Sequence, residues 1–149
     1  MLTQEQKLEF VDKGFLKFEN AVPRDLVDTA RRAVNHSIGE VGLGGEDLEN
    51  NRSGYHCAEL CDQSVITDLF NTPAIMEIFE DLMGEGNVQP VEWAKPYPRF
   101  PLPPGEEAKD PGGHIDGTGS GTNGTAKGDY NRGFTAFSVV YLADVPEPY

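Results

Sequence analysis

The stretch FTAFSVVYLADV, Phe134–Val145, decides which fold the sequence predicts. It is rich in β-branched and aromatic residues, and both alternating sets of its side chains are largely apolar, which is typical of a strand covered on both faces. The segment before it, residues 87–113, is extended in character and rich in proline, which favours sheet edges and loop entries. We therefore expect the strands of a sheet over about residues 87–149.

Helices are expected in the first half of the chain, over about residues 1–86. Thr3 and Gln6 fit a capping box at the start of a short helix that ends at Gly14. Pro23 suits the first position of a longer amphipathic helix, and Thr72-Pro73 opens another. Helices followed by strands indicate an α+β fold, and 149 residues suit a single domain, 1–149.

The composition limits the classes of partner. The net charge of −13 argues against nucleic acid or an anionic membrane as partner, and an anionic cosubstrate would need a local Arg or Lys. The first ten residues, MLTQEQKLEF, contain no apolar core of a signal peptide, and no run approaches the ~20 apolar residues of a membrane span. We expect a cytoplasmic protein.

A candidate site lies in GGHIDGTGSGTNGT, Gly112–Thr125, where a His and an Asp are one residue apart. Alternate residues of a strand project to the same face, so His114 and Asp116 can point into one cavity. Fe(II) in non-haem oxygenases takes two His and one carboxylate on one face and leaves the other positions open. A solvated His and Asp in a loop would give the same tripeptide, so both interpretations stand on these residues alone.

Two other metals are less consistent with the sequence. Asp116, Thr118 and Ser120 match the start of an EF-hand loop, but Lys127 stands where that loop needs a bidentate acid. Cys57 and Cys61, with His56 beside the first, could bind zinc, but no second pair of cysteines exists. We expect two reduced thiols near a packed surface.

The order of several motifs resembles that of the phytanoyl-CoA dioxygenase family of Fe(II)/2-oxoglutarate-dependent oxygenases. The resemblance runs through most of the chain. The motifs are KGFLKFENAVPRDLVDTARRAV (13–34), LFNTPAIMEIFEDLMG (69–84), EWAKPYPR (92–99), GGHIDG (112–117) and FTAFSVVYLADVPEP (134–148).

This resemblance implies N-terminal helices packed on a double-stranded β-helix, or jelly roll, that is incomplete at the C-terminus. His114 and Asp116 would be the first two iron ligands, whereas the family's distal His and its 2-oxoglutarate-binding Arg lie beyond the turn at which this chain ends. The implied function is hydroxylation of an unactivated C–H bond of a small organic substrate, with Fe(II) as cofactor and 2-oxoglutarate and O₂ as cosubstrates. The 149 residues alone are expected to be inactive.

Other residues are candidates for the remaining roles. His56 is the candidate third ligand, and Arg99 precedes the His-x-Asp segment and could hold the anionic cosubstrate. Phe137 stands where the resembled family commonly has a Trp at the cosubstrate. Trp93 and Tyr97 are candidate walls of the substrate pocket.

Two alternatives to this enzyme remain. One is a non-catalytic, jelly-roll-like module for binding or assembly, in which His-x-Asp is a relic. The other is a cupin-like metal protein of different chemistry, since a fold alone does not fix a function. In either case the open edges of an incomplete sheet predict self-association.

Overall fold

The computed structural model describes residues 1–41, 56–98, 104–105 and 136–145. Its helices belong to one compact unit, which combines Met1–Phe100 with Phe137–Tyr149, and Pro101–Ala136 forms a second unit. The expected single domain stays a prediction, because most of the second unit lies outside the described residues. The elements in chain order are α1 (Gln4–Lys13), α2 (Arg24–Val41), a 3-10 turn (Ala58–Leu60), α3 (Ser64–Thr67) and α4 (Pro73–Met83).

The first helix, α1, begins and ends where the sequence predicts. The Thr3 side chain accepts a hydrogen bond from the Gln6 backbone N–H at 3.2 Å, and the Gln6 side chain accepts one from the Thr3 N–H at 2.9 Å. Gly14 ends the helix in the left-handed conformation, with φ of 79°, and its N–H donates to the Phe10 carbonyl. The capping box and the glycine stop are confirmed, although α1 contains no fully buried residue.

The core forms where α2 packs against the short α3. Val27, Ala30 and Val34 recur at helical spacing on α2 and are buried, as the amphipathic pattern predicts. The buried members of this cluster are Val27, Ala30, Val34, Cys57, Ile66 and Leu69. Because this core is small, each of its side chains contributes a large share of the buried apolar surface.

The last helix, α4, begins where the sequence predicts. Thr72 is its N-cap, with the Thr72 side chain accepting from the Ile75 N–H, and Pro73 occupies the first turn. Gly84 ends the helix at φ of 93°, and a Cβ added there would lie 2.9 Å from Nδ2 of Asn87. Both the positive φ and the close approach favour glycine at this position.

The 3-10 turn and α3 were not predicted. Both are too short, at three and four residues, to produce a helical repeat of apolar residues. Cys57 precedes the turn in the left-handed conformation, with φ of 55°, which is rare for a residue other than glycine. These residues are held in place by tertiary packing. A local sequence pattern does not indicate such packing.

The predicted jelly roll is wrong for the part of the chain that the structure describes. Residues 1–41, 56–98 and 136–145 form helices, turns, bends and segments without regular secondary structure, with no strand or sheet among them. High β-propensity favours an extended backbone, but a sheet also needs a neighbouring strand to accept and donate its ladder hydrogen bonds. Prolines 90, 96 and 98 further remove donors from the segment expected to carry the first strands.

The segment 136–145 is covered on one side only, not on both faces as expected. Val140 and Leu142 pack against the helical core. The side chains that alternate with these are exposed: Phe137, Val139 and Tyr141 are 69%, 72% and 70% exposed. The segment therefore carries more apolar side chains than its own unit buries.

Candidate functional site

The two predicted iron ligands, His114 and Asp116, lie outside the described residues, as does Arg99. Their roles as ligands and as anion-binding residue stay predictions. Phe137 is described, and its ring is mostly exposed.

His56, the candidate third ligand, lies directly before the 3-10 turn and is partly buried. Within residues 1–41, 56–98 and 136–145, no three His, Cys, Asp or Glu side chains come together as a group that could hold a metal ion. His56 therefore has no pair of described ligand partners, and any metal bound through it would need ligands from the remaining residues.

The two cysteines that follow His56 are free thiols inside the core. The thiol of Cys57 lies 3.9 Å from the Val34 carbonyl oxygen, and the thiol of Cys61 lies 3.9 Å from the carbonyl oxygen of Cys57. Cys61 is only 1% exposed. The prediction of two reduced thiols at a packed surface is confirmed.

Burial has the largest effect on the ionisation of the Cys57 thiol. It raises the pKa of the Cys57 thiol, a hydrogen bond with Ser37 lowers it to a smaller extent, and the Glu59 carboxylate raises it further. A metal ligand or a nucleophile must be a thiolate, and a buried thiol with a raised pKa resists that form. Burial and the raised pKa of Cys57 therefore favour a packing role for its thiol.

Ser37 and Glu59 form a polar contact at the same place, between α2 and the 3-10 turn. The Ser37 hydroxyl is buried and donates a hydrogen bond to Oε1 of Glu59. This bond is the main reason that the pKa of Glu59 is lowered, and a bond to its own backbone adds to the effect. No sequence pattern indicates this pair, because the two residues are 22 positions apart.

The predicted pocket residues Trp93 and Tyr97 lie on the extended segment that follows α4. Both are about half exposed, and the Lys95 ammonium lies 4.8 Å from the centre of the Tyr97 ring. The segment is attached to the core where the Ala94 N–H donates to the Cys61 carbonyl at 2.9 Å. A cation over an aromatic face is favourable, and Lys95 covers one face of the Tyr97 ring.

An open depression of about 320 Å³ lies between the N-terminus and α4. It is lined by Met1, Glu77, Glu80, Asp81 and Glu85. The Met1 ammonium lies 3.3 Å from Glu77, so part of the negative charge is already neutralised. With four carboxylates around it, this depression is unsuited to an anion such as 2-oxoglutarate.

Comparison with models of protein families, with curated proteins and with solved structures finds no match to this chain. Among the described helices, none is both long enough and apolar enough to cross a membrane.

Proposed function

We propose that this chain binds Fe(II) through His114 and Asp116 and serves a 2-oxoglutarate-dependent hydroxylation of a small organic substrate. The observation that carries the proposal is the position of GGHIDG, which follows EWAKPYPR and precedes FTAFSVVYLADVPEP. The proposal rests on this order of motifs and on the chemistry of the two side chains. It also requires residues 114–116 to be extended, so that the two side chains share a face.

The imidazole and the carboxylate are ligand types that bind ferrous iron, but they are fewer than the three protein ligands of a complete site. An imidazole and a carboxylate supply two of the three protein ligands of a facial site, and both prefer borderline to hard cations. His114 is the last of the three histidines in the sequence, and the described residues contribute no group of three ligands. We therefore expect weak binding, with more coordination positions open than in a complete site.

The residues of the chain would have distinct tasks in this function. His114 and Asp116 would orient the metal, and a deprotonated Asp116 would offset part of its charge. Arg99 is the candidate partner for a cosubstrate carboxylate, since the net charge of −13 otherwise repels an anion. Bound iron would activate O₂ as the oxidant for C–H hydroxylation, with 2-oxoglutarate as the co-oxidised electron donor.

Anaerobic titration of the full chain with Fe(II), followed by calorimetry, tests the metal site. We expect saturable binding that is lost in His114→Ala and in Asp116→Ala, because either change leaves a single protein ligand. His36→Ala is the matched control, since His36 lies on α2, and it should bind as the native chain does. Equal binding by the native chain and His114→Ala would refute the proposal.

Turnover of 2-oxoglutarate is the second test. With two protein ligands and no identified third, the purified chain should form succinate at a negligible rate when Fe(II) is added. Robust Fe(II)-stimulated turnover would instead indicate a third ligand within these residues. His56→Ala, which would then abolish turnover, identifies that ligand.

A second candidate function is a non-catalytic module for binding or assembly. The exposed apolar side chains of Phe137, Val139 and Tyr141 favour it, because large apolar groups in a row are typical of interaction surfaces. A chain that fails to bind Fe(II) but still associates through this surface would support the second candidate over the first.

A further inference from the structure

The segment Phe137–Tyr141 has two features that suit a strand. Its outward side chains, Phe137, Val139 and Tyr141, are all more than two-thirds exposed, while Val140 between them packs on the core, so burial alternates with the period of a strand. Its backbone forms no hydrogen bond with any other described residue. Such a segment can serve as a template for pairing with another strand.

The sequence of this segment is nearly symmetric about Val139. It reads aromatic, Ser, Val, Val, aromatic. In an antiparallel pair related by a two-fold axis at Val139, that residue lies opposite its own copy. Phe137 then lies opposite Tyr141 of the second copy, and the reverse pair forms as well. Aromatic and β-branched pairs directly across strands are stabilising, so the segment is complementary to itself.

The absence of charged side chains favours this segment as the contact between two copies. The chain carries a net charge of −13, yet residues 134–143 contain no charged side chain. Two copies can therefore pair here without bringing like charges directly opposite one another. The remaining repulsion acts over distances at which salt screens it.

A second exposed apolar surface, on and after α1, is a weaker candidate. Leu8, Val11 and Phe15 are exposed, but acidic Asp12 adjoins Val11. The backbone of α1 is satisfied by its own helix, so this surface offers side chains alone. The segment Phe137–Tyr141 offers side chains and backbone groups together.

The area available predicts a weak dimer. A covered aromatic side chain buries about 150–250 Å² when fully buried. The four aromatic rings of a symmetric pair therefore bury less than roughly 1,000 Å², which is below the ~1,200 Å² of a stable interface. Association should accordingly depend on concentration.

We propose that Phe137–Tyr141 pairs in antiparallel register with the same segment of a second copy, about a two-fold axis at Val139. The result is a reversible homodimer. Dimerisation does not require iron binding, so its test is separate from that of the oxygenase proposal.

Sedimentation equilibrium of the full chain over a concentration series tests the dimer. We expect a monomer–dimer equilibrium whose dissociation constant rises by about tenfold or more in Val139→Glu, because two carboxylates then face each other across the axis. Val11→Glu, on the other apolar surface, should leave the constant unchanged. Circular dichroism checks that both variants retain their helices. A monomer at every concentration, larger assemblies, or a loss of association in Val11→Glu alone would overturn the proposal.

Oxidative cross-linking tests the register. Val139→Cys should form a disulfide-linked dimer, since directly opposed residues lie within the Cα separation that a disulfide spans. Phe137→Cys alone should not cross-link, because its copy lies several residues away across the pair. A mixture of Phe137→Cys and Tyr141→Cys chains should do so. Equal cross-linking of Val139→Cys and Phe137→Cys would contradict the register.

Discussion

The side-chain amide of Asn71 forms two hydrogen bonds with the backbone of Val91. Its Nδ2 donates to the Val91 carbonyl at 2.9 Å, and its Oδ1 accepts from the Val91 N–H at 2.7 Å. One side chain thereby satisfies both backbone groups of a residue 20 positions away. It holds the extended segment that carries Trp93 against the end of α3 and the start of α4.

We predict that Asn71→Asp destabilises the fold by about 1–3 kcal/mol. A carboxylate cannot donate to the Val91 carbonyl, so that partly buried acceptor loses its partner and faces a negative charge. Chemical denaturation measures the change. Asn87→Asp is the control, because Asn87 makes one exposed bond, to the Met83 carbonyl, and should cost less. Equal losses in both variants would contradict a special role for the Asn71 bonds.

Removing a side chain from the small core should be costly. Leu69 is 3% exposed and belongs to the cluster between α2 and α3. Leu69→Ala should therefore lower the free energy of unfolding by about 2–5 kcal/mol, through lost burial and the cavity left behind. Leu8→Ala, at an exposed position of α1, should change it by less than about 0.5 kcal/mol. Thermal unfolding followed by circular dichroism distinguishes the two.

The hydrogen bond from Ser37 should control the ionisation of Glu59. In Ser37→Ala the pKa of Glu59 should rise toward its ordinary value of 4.5, because the bond that lowers it is gone. A lowered carboxyl pKa stabilises the fold above the ordinary value, and that contribution is lost as the pH falls through 4.5 and below. Titration of Glu59 by NMR measures the shift. Ser64→Ala, at an exposed position, should leave the titration unchanged.

Alkaline conditions should weaken the fold through Cys57. Burial raises the pKa of this thiol above its ordinary value of 9.0, so the unfolded chain loses the proton first. The contribution of the protonated thiol is complete below 9.0 and is lost as the pH rises from there through the raised value. The native chain should therefore lose stability more steeply above 9.0 than Cys57→Ala does. Parallel denaturation curves across this range would contradict the prediction.

Asp81 should hold α1 against α4. It accepts a hydrogen bond from the Leu2 N–H and lies 3.8 Å from the Lys7 ammonium, and α1 itself buries no residue completely. Asp81→Ala should accelerate hydrogen exchange in α1 by about fivefold or more, equivalent to about 1 kcal/mol. The core amides of α2 should keep their protection. Glu80→Ala, which removes a neighbouring acid, should leave both regions unchanged.

The sequence predicted what local interactions determine. The capping box of Thr3, the stop at Gly14 and the N-cap at Thr72 each depend on residues within four positions, and the structure confirms all three. The 3-10 turn at Cys57 and the Asn71–Val91 bonds depend on residues far apart in sequence. No periodic or capping pattern in the sequence indicates such contacts.

The predicted sheet failed for the same reason. The β-branched and aromatic residues of Phe134–Val145 predict a strand, but the structure assigns no strand to residues 136–145, because composition does not report whether a neighbouring strand exists. The His-x-Asp site stays a prediction, because its spacing gives a shared face only if that segment is extended. The chemistry of a motif can be deduced from its residues, whereas the third ligand of a metal site comes from elsewhere in the fold.

The burial of both native cysteines has a practical consequence for spectroscopy. Cys57 and Cys61 are the only two cysteines in the sequence, and both are buried in the folded chain. A maleimide-linked spin label or fluorophore would thus react at engineered surface cysteines, without prior removal of the native pair. Distances between two such labels can then be measured in an otherwise unaltered protein.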